Sequence, residues 1–301
     1  MKRTCRAALL SAATLATFCS PGRIAKACAT CGCGDPTLTS LGTGKPFAGR
    51  LRGALQLSHR TDAIGQARVN RIELSEQRLD ASLAYAPLSF WFVGVTLPVV
   101  RKQVSYVNLE QHTRLSLGDI ELRNKFFVYQ DRDFSPRHLG AVEAGLKLPT
   151  APLERDAQGD LLPLEVQTGT GSFDPILGAS YALFLSPWSG YLSATGSYPT
   201  KGIEGARASP SLRSTLAAQY QPVNLLALRL GIDTRLDGKA RQHDGPEPDS
   251  GGFIAYLAPA LLLSPLTDLI FTLAVQVPTL NALRGYHDEG PIYSLSATLD
   301  F

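Results

Sequence analysis

The sequence predicts an all-β fold, an up-and-down antiparallel β-barrel that crosses a membrane with twelve strands. Three observations predict it. Segments with period-2 alternation recur from Gly49 to the last residue, each long enough to cross a bilayer as a tilted strand of roughly 9–11 residues. Tight turns carrying proline alternate with longer polar connections. The chain ends on an aromatic residue, Phe301, that shares a face with Tyr293, Leu295 and Leu299.

The twelve segments lie near 49–60, 73–86, 89–103, 116–130, 138–150, 166–186, 188–202, 208–222, 225–240, 251–264, 267–281 and 290–301. Ala86-Pro87-Leu88-Ser89, Ser186-Pro187-Trp188-Ser189, Gln221-Pro222-Val223-Asn224 and Ser264-Pro265-Leu266-Thr267 are near-identical turns, where proline supplies a preset φ at the second position. They follow segments 2, 6, 8 and 10, and the intervening connections are longer, which puts short turns at one end and long loops at the other. An even strand number then brings both termini to the short-turn end, the periplasmic side of an outer-membrane barrel. In the last segment Tyr293, Leu295, Ala297, Leu299 and Phe301 form an apolar face, against Ser294, Ser296, Thr298 and Asp300. Tyr85, Trp91, Tyr129, Trp188 and Tyr220 gather at segment ends, as interfacial girdles do. The final alternating run with its terminal aromatic (Tyr293, Leu295, Leu299, Phe301) resembles the signal read by outer-membrane assembly machinery.

The N-terminus reads as an export signal. Lys2, Arg3 and Arg6 precede an apolar run over 7–18, and Ala25-Lys26-Ala27 is a small-x-small cleavage pattern. The domain organisation is therefore a signal peptide over 1–27, a cysteine-containing periplasmic segment over 28–48 and the barrel over 49–301. Cleavage removes five of the 29 basic residues and none of the 26 acidic ones, leaving 24 against 26, a formal net charge of −2. The basic character belongs to the signal, which excludes nucleic acid as a partner. No stretch approaches 18 uninterrupted apolar residues, so helical spans are excluded and a closed barrel is the form left to a membrane protein.

If the apolar face meets lipid, the other face lines the lumen. Segment 1 sends Arg50 and Arg52 inward; segment 2 sends Glu76, Arg78 and Asp80; segment 4 sends Asp119, Glu121, Arg123 and Lys125. Glu143 and Lys147 follow from segment 5, and Arg213, Arg229, Asp233 and Arg235 from segments 8 and 9. Both signs are interspersed, which suits cross-strand pairing. Two readings stay open: a network that fills and stiffens a narrow barrel, and a channel lining that selects by charge and size. No HExxH or GxSxG occurs, so the chain is not expected to be an enzyme.

Cys28, Cys31 and Cys33 are the mature chain's whole set of thiols. Three thiolates in a glycine-bearing stretch suit a soft ion such as Cu(I) or Zn(II), with one tetrahedral position left for another ligand or a periplasmic partner. A labile disulfide, an incidental one and lipidation at Cys28 are the alternatives.

The stretches Ser116-Leu117-Gly118-Asp119-Ile120-Glu121-Leu122-Arg123-Asn124-Lys125, Gly145-Leu146-Lys147-Leu148-Pro149-Thr150 and Gly169-Thr170-Gly171-Ser172-Phe173-Asp174-Pro175-Ile176-Leu177-Gly178 resemble the outer-membrane transporter family named for the meta-cleavage pathway of phenol degradation. The resemblance covers the barrel and implies a twelve-stranded transporter that moves small, often hydrophobic compounds. The cysteine segment departs from the family pattern. Glycines and prolines in these stretches read first as barrel-shaping.

The functional expectation is an outer-membrane channel for small solutes, hydrophobic compounds or metal-linked cargo among them, whose partners are outer-membrane lipid, the assembly machinery and the solute. The alternative is a structural or docking barrel whose cysteine tail recruits a periplasmic metal-handling or electron-transfer protein.

Overall fold

Alternation assigns each strand residue to one of two faces, and the ladder registers close that alternation into a ring. The computed structural model describes residues 48–301 except 67, 134–135, 243–244, 248–249 and 267. The signal peptide and Cys28, Cys31 and Cys33 lie outside the described residues, as does His243.

The strands in chain order are β1 (Leu51–Ile64), β2 (Ile72–Leu88), β3 (Trp91–Tyr106), β4 (Gln111–Leu117), β5 (Glu121–Gln130), β6 (His138–Lys147), β7 (Asp174–Leu185) and β8 (Trp188–Ser197). There follow β9 (Ser211–Val223), β10 (Leu226–Asp237), β11 (Arg241–Gln242), β12 (Gly245–Pro246), β13 (Gly252–Leu266), β14 (Leu269–Leu283), β15 (His287–Glu289) and β16 (Ile292–Asp300). β4 and β5 are two lengths of one stave, both paired to β3, and β15 and β16 are two lengths of another, both paired to β1. Every stave pairs antiparallel with its neighbours, and the ladder of β16 on β1 closes a twelve-strand barrel. β11 and β12 form a separate small hairpin.

The tight ends join β2–β3, β7–β8, β9–β10 and β13–β14, but only Pro187 sits in the turn itself. Pro87, Pro222 and Pro265 lie in the last residues of β2, β9 and β13, where the ladders shift register, so these three turns come about two residues later than the proline positions predict. The start of β1 and the C-terminal residue lie at this end too, where Phe301 N donates to the Leu51 carbonyl at 2.8 Å. The opposite end carries the longer connections over 65–71, 148–173, 198–210 and 238–251.

Several boundaries differ from the alternation pattern, and two of the departures, the break in the fourth stave and the late start of β7, share one reason. The fourth stave begins at Gln111 and is broken over 118–120; the stave expected from 166 begins only at Asp174. Residues 166–173 turn into the barrel, and Asp119 leaves its ladder to hold them, as described below. Local alternation does not encode that long-range contact.

The outer face is a continuous apolar band. Leu57, Leu83, Leu192, Leu216, Leu230, Leu273 and Leu295 all project outward and are exposed. A soluble monomer rarely exposes contiguous apolar patches beyond a few hundred Å²; hydrocarbon is the solvent this surface suits. At the tight-turn rim Trp188 packs against Tyr220 with ring centroids 4.7 Å apart, and Trp91 stacks on Phe126 at 5.8 Å.

Leu216 sits within β9 on this band, opposite Leu192 and Ile232. Leu216→Arg is expected to lower stability in phospholipid vesicles by about 2–4 kcal/mol, the cost of a cation at the lipid midplane. Urea unfolding followed by tryptophan fluorescence measures it, and an unchanged midpoint would place Leu216 away from hydrocarbon.

Candidate functional site

Inward-facing residues divide the interior into a packed floor and an open cup. The floor lies toward the tight turns. There the inward positions are small or aromatic: Ala84, Ala86 and Phe92 pack with Phe127, while Leu139, Ala182, Tyr191 and Ala217 pack with Phe184. Ala227, Ala260, Leu262, Ile270 and Ala274 complete the layer. Alanine on neighbouring staves leaves room for the large side chains of the others, the interdigitation that fills a core without voids.

Charged groups are threaded through this floor, each with a partner. Arg52 donates from Nε and Nη2 to Asp300 at 2.5 and 2.8 Å, and Arg50 donates to the same carboxylate. Lys125 Nζ lies 3.6 Å from Glu143, and Arg123 Nη1 donates to that residue at 3.3 Å. Arg50, Arg52, Lys125, Glu143 and Arg229 are all buried. Such pairs add little net stability, because desolvation offsets the attraction, but removing one partner costs about 3–5 kcal/mol.

Above the floor is a cavity of about 770 Å³. Glu76, Arg78, Asp80, Asp119, Glu121, Arg123, Lys147, Arg213, Asp233 and Arg235 line it. Most of its charges are paired: Arg78 Nε donates to Asp80 at 2.7 Å, and Arg123 donates to Glu121. Gln276 Nε2 donates to Asp233 at 2.7 Å. Arg235 donates to Asp237 at 2.6 Å and to Glu289, which also accepts the Tyr256 hydroxyl at 2.5 Å. The fifteen positions expected to face inward thus separate into a buried floor set and a cavity-lining set.

Sequence reasoning passed over Arg60, Lys102, Asp174 and Glu289. Arg60 donates to Glu76 at 3.1 Å from the same inward face of β1 as Arg52, so alternation carried its position. Lys102 likewise shares its face with Thr96 and Val100. Glu289 lies in β15, too short to show a period.

The connection 148–173 folds into the mouth of the cup, and the three stretches singled out in the sequence meet to anchor it. Lys147 Nζ lies 2.5 Å from Asp174 and 3.4 Å from Asp119, and donates to Thr170 Oγ1 at 2.6 Å. Asp119 accepts from Ala151 N at 3.2 Å and from Thr170 N at 2.9 Å, and Ser172 donates to Asp174 at 2.6 Å. A side chain at residue 169 would meet Asp119 Oδ1 at 2.6 Å, so only glycine lets the loop approach this carboxylate. Gly171 takes φ +64°, a left-handed turn that delivers Ser172 to Asp174. Further in, Gln167 donates to the Glu154 and Leu162 carbonyls at 2.9 Å, and Lys102 donates to the Gln167 carbonyl at 2.6 Å. Leu162 and Val166 bury against Val104 with Ile72, Leu74 and Tyr106.

His112 contacts Glu110, His138 contacts Tyr181, and His287 lies 3.4 Å from Glu289. Among the described residues no cluster of His, Cys, Asp and Glu has the geometry to hold a metal.

Neither a protein-family model nor a curated protein sequence matches this chain. Among solved structures the fold is similar to an outer membrane channel from Pseudomonas putida F1, with a TM-score of 0.65 and 15% identity over 84% of this chain and 96% of that one. The P. putida toluene transporter TodX overlaps with a TM-score of 0.48 and 10% identity, over 89% of this chain and 92% of that one. The CymD monoaromatic hydrocarbon channel gives 0.47 and 11%, over 89% and 91%. At these identities the likeness is one of fold.

Lys147→Met removes the cation shared by Asp119 and Asp174 and is expected to release the inner loop. Trypsin cleavage after exposed Arg155 should accelerate at least about tenfold, since stranding a buried carboxylate costs several kcal/mol of local stability. Equal cleavage rates for the two proteins would show that the Lys147 cluster does not hold the loop.

Proposed function

We propose that the chain is an outer-membrane channel for small, polar or amphipathic solutes, with its tight turns and termini on the periplasmic side. One observation carries this reading: a closed barrel with an apolar outer face encloses a charged cavity of about 770 Å³ at its loop end. A surface of that kind belongs in a bilayer, and a polar interior gives a hydrophilic solute an environment that lipid does not. The fold likeness to a Pseudomonas outer membrane channel supports the same reading.

The resemblance to the meta-cleavage transporter family would extend the cargo to hydrophobic compounds. The lining favours solutes that carry a polar or charged group, because desolvating these side chains against plain hydrocarbon has no compensation. Passage through the full length requires the floor around Arg52, Asp300 and Phe92 to part, so the structure described is the closed conformation of the proposed channel.

The packed floor also favours a second reading, a docking barrel that conducts nothing. In that case Cys28, Cys31 and Cys33 would present Cu(I), Zn(II) or a disulfide to a periplasmic metal or redox partner. Purified protein in planar bilayers separates the two. Steady conductance steps are expected for the channel, and a silent bilayer containing heat-modifiable, folded protein would overturn it.

We assign Phe301, with Tyr293, Leu295 and Leu299, to recognition by the assembly machinery. Phe301 is exposed on the outer face, and its ring lies against Gly53 across the β1–β16 seam. Phe301→Ser is expected to cut the folded protein in outer-membrane fractions by at least about tenfold, in line with the loss of a terminal recognition anchor, while the protein that does insert conducts normally. Wild-type surface levels would rule this assignment out.

A further inference from the structure

We infer that the loop-end mouth of the cavity carries a binding site for an oxyanion, built by Arg207 and Arg241, so that the preferred solutes of the proposed channel are those bearing a carboxylate, phosphate or sulfate group. The inference deepens the channel reading by naming the chemistry of its solute.

Arg207 and Arg241 sit directly opposite each other in an isolated antiparallel bridge. Arg207 N donates to the Arg241 carbonyl at 2.7 Å and Arg241 N to the Arg207 carbonyl at 2.9 Å. Residues paired in this way project to the same side, and both side chains line the cavity. Like charges directly opposite are destabilising in a sheet. A second arginine pair stands in register on the same wall, Arg213 opposite Arg235, and there Asp237 and Glu289 compensate Arg235. Among the described residues neither Arg207 nor Arg241 has a carboxylate within ion-pair distance.

Arg207 is also held in place. Its Nε donates to the Pro199 carbonyl at 2.8 Å, and its guanidinium lies 4.1 Å from the centre of the Tyr198 ring. With Nε occupied and one face stacked, Nη2 is left buried without a hydrogen-bond partner. A desolvated guanidinium N–H with no acceptor is costly unless a ligand supplies one. Tyr198, outside the strands, has its phenol held below the usual tyrosine range, first by a hydrogen bond from the Arg207 side chain and then by the charges of Arg207 and Arg241.

An oxyanion between the two guanidiniums would accept from both, relieve their repulsion and satisfy Nη2, and the planar fork of arginine suits such a group better than lysine would. Elsewhere around the cavity Arg60, Arg78 and Arg123 already have carboxylate partners. The Arg207–Arg241 pair is therefore where an incoming anion gains most. Because both side chains line the cavity and not the apolar outer band, the anion belongs to a solute entering the cup, not to a lipid headgroup beside the barrel.

The test reads binding and not conductance, so it stands apart from the channel assay. Folded wild-type protein in detergent micelles is titrated with orthophosphate by ³¹P NMR and with 4-fluorobenzoate by ¹⁹F NMR. Saturable line broadening at millimolar concentration is expected. R207Q/R241Q should require at least about tenfold more ligand, the loss expected from deleting charge-assisted hydrogen bonds, whereas K201Q/K239Q, at exposed positions of the same rim, should match wild type. Heat-modifiability on gels checks that each variant is folded, and R207K/R241K, which keeps charge but lacks the fork, should fall between. Equal broadening in wild type and R207Q/R241Q overturns the site. Broadening that K201Q/K239Q abolishes as fully overturns it in favour of general surface charge. Loss of the wild-type signal when micelles carry a lipid-A phosphate, with no effect from a neutral lipid, reassigns the site to a headgroup and overturns the solute proposal. Silent bilayers with intact broadening would remove the channel reading and leave the anion site.

Discussion

The structure depends on closure of the ladder between its first and last strands. A barrel in hydrocarbon must satisfy every backbone N–H and C=O within the ring, and one open seam would expose a row of them. Here the seam is β1 on β16, with Arg52 opposite Asp300 and His59 opposite Tyr293. Because side chains alternate, slipping this ladder by one residue would turn Leu295 and Leu299 into the lumen and Arg52 or Asp300 toward the apolar band. The buried bonds from Arg50 and Arg52 to Asp300 oppose that slip. Their role is better described as register specificity than as net stability, since a buried ion pair roughly balances its own desolvation.

Closure with twelve strands leaves an interior wider than side chains fill unaided. The protein occupies it by two means. Toward the tight turns, inward apolar side chains of neighbouring staves pack into buried clusters and, with the paired charges, form the floor. Toward the loops, the connection 148–173 enters and takes up part of the space. Its anchorage explains why Gly118, Asp119 and Ile120 interrupt a stave: Asp119 accepts loop N–H groups, and Gly118 N instead donates to the Pro98 carbonyl at 2.8 Å. A break in the ladder is tolerated because the freed groups are satisfied by the loop, as where Thr150 Oγ1 accepts from Ile120 N at 2.8 Å.

The same arrangement governs what reaches the cavity. Charges on β1, β2 and β5 are paired within reach of one another, so that wall presents alternating signs and little net field. The wall of β9 and β10 holds Arg213 opposite Arg235, the latter paired with Asp237 and Glu289, and at the mouth Arg207 faces Arg241 with its Nη2 unpartnered. The cavity is therefore polar throughout yet asymmetric in its unmet hydrogen-bonding capacity, a basis for selecting among anions by geometry as well as by charge.

Much of this was determined by the sequence alone. Period-2 alternation gave each strand its two faces, and proline marked the neighbourhood of the tight turns though only Pro187 lies in one; these are local properties that a strand or turn carries without its neighbours. The inward positions of Arg52, Glu76, Arg123 and Asp233 followed from parity. Only the tertiary structure decided which inward charges lie in the sealed floor and which line the cavity, because that depends on side chains brought together from distant staves. It also decided that 166–173 enters the lumen instead of extending a strand, since Asp119, Lys147 and Asp174 hold it through contacts spanning three separate stretches. The pairing of Arg207 with Arg241 was hidden for the same reason: two of the longer connections carry them, neither has a period, and only the folded mouth sets them face to face.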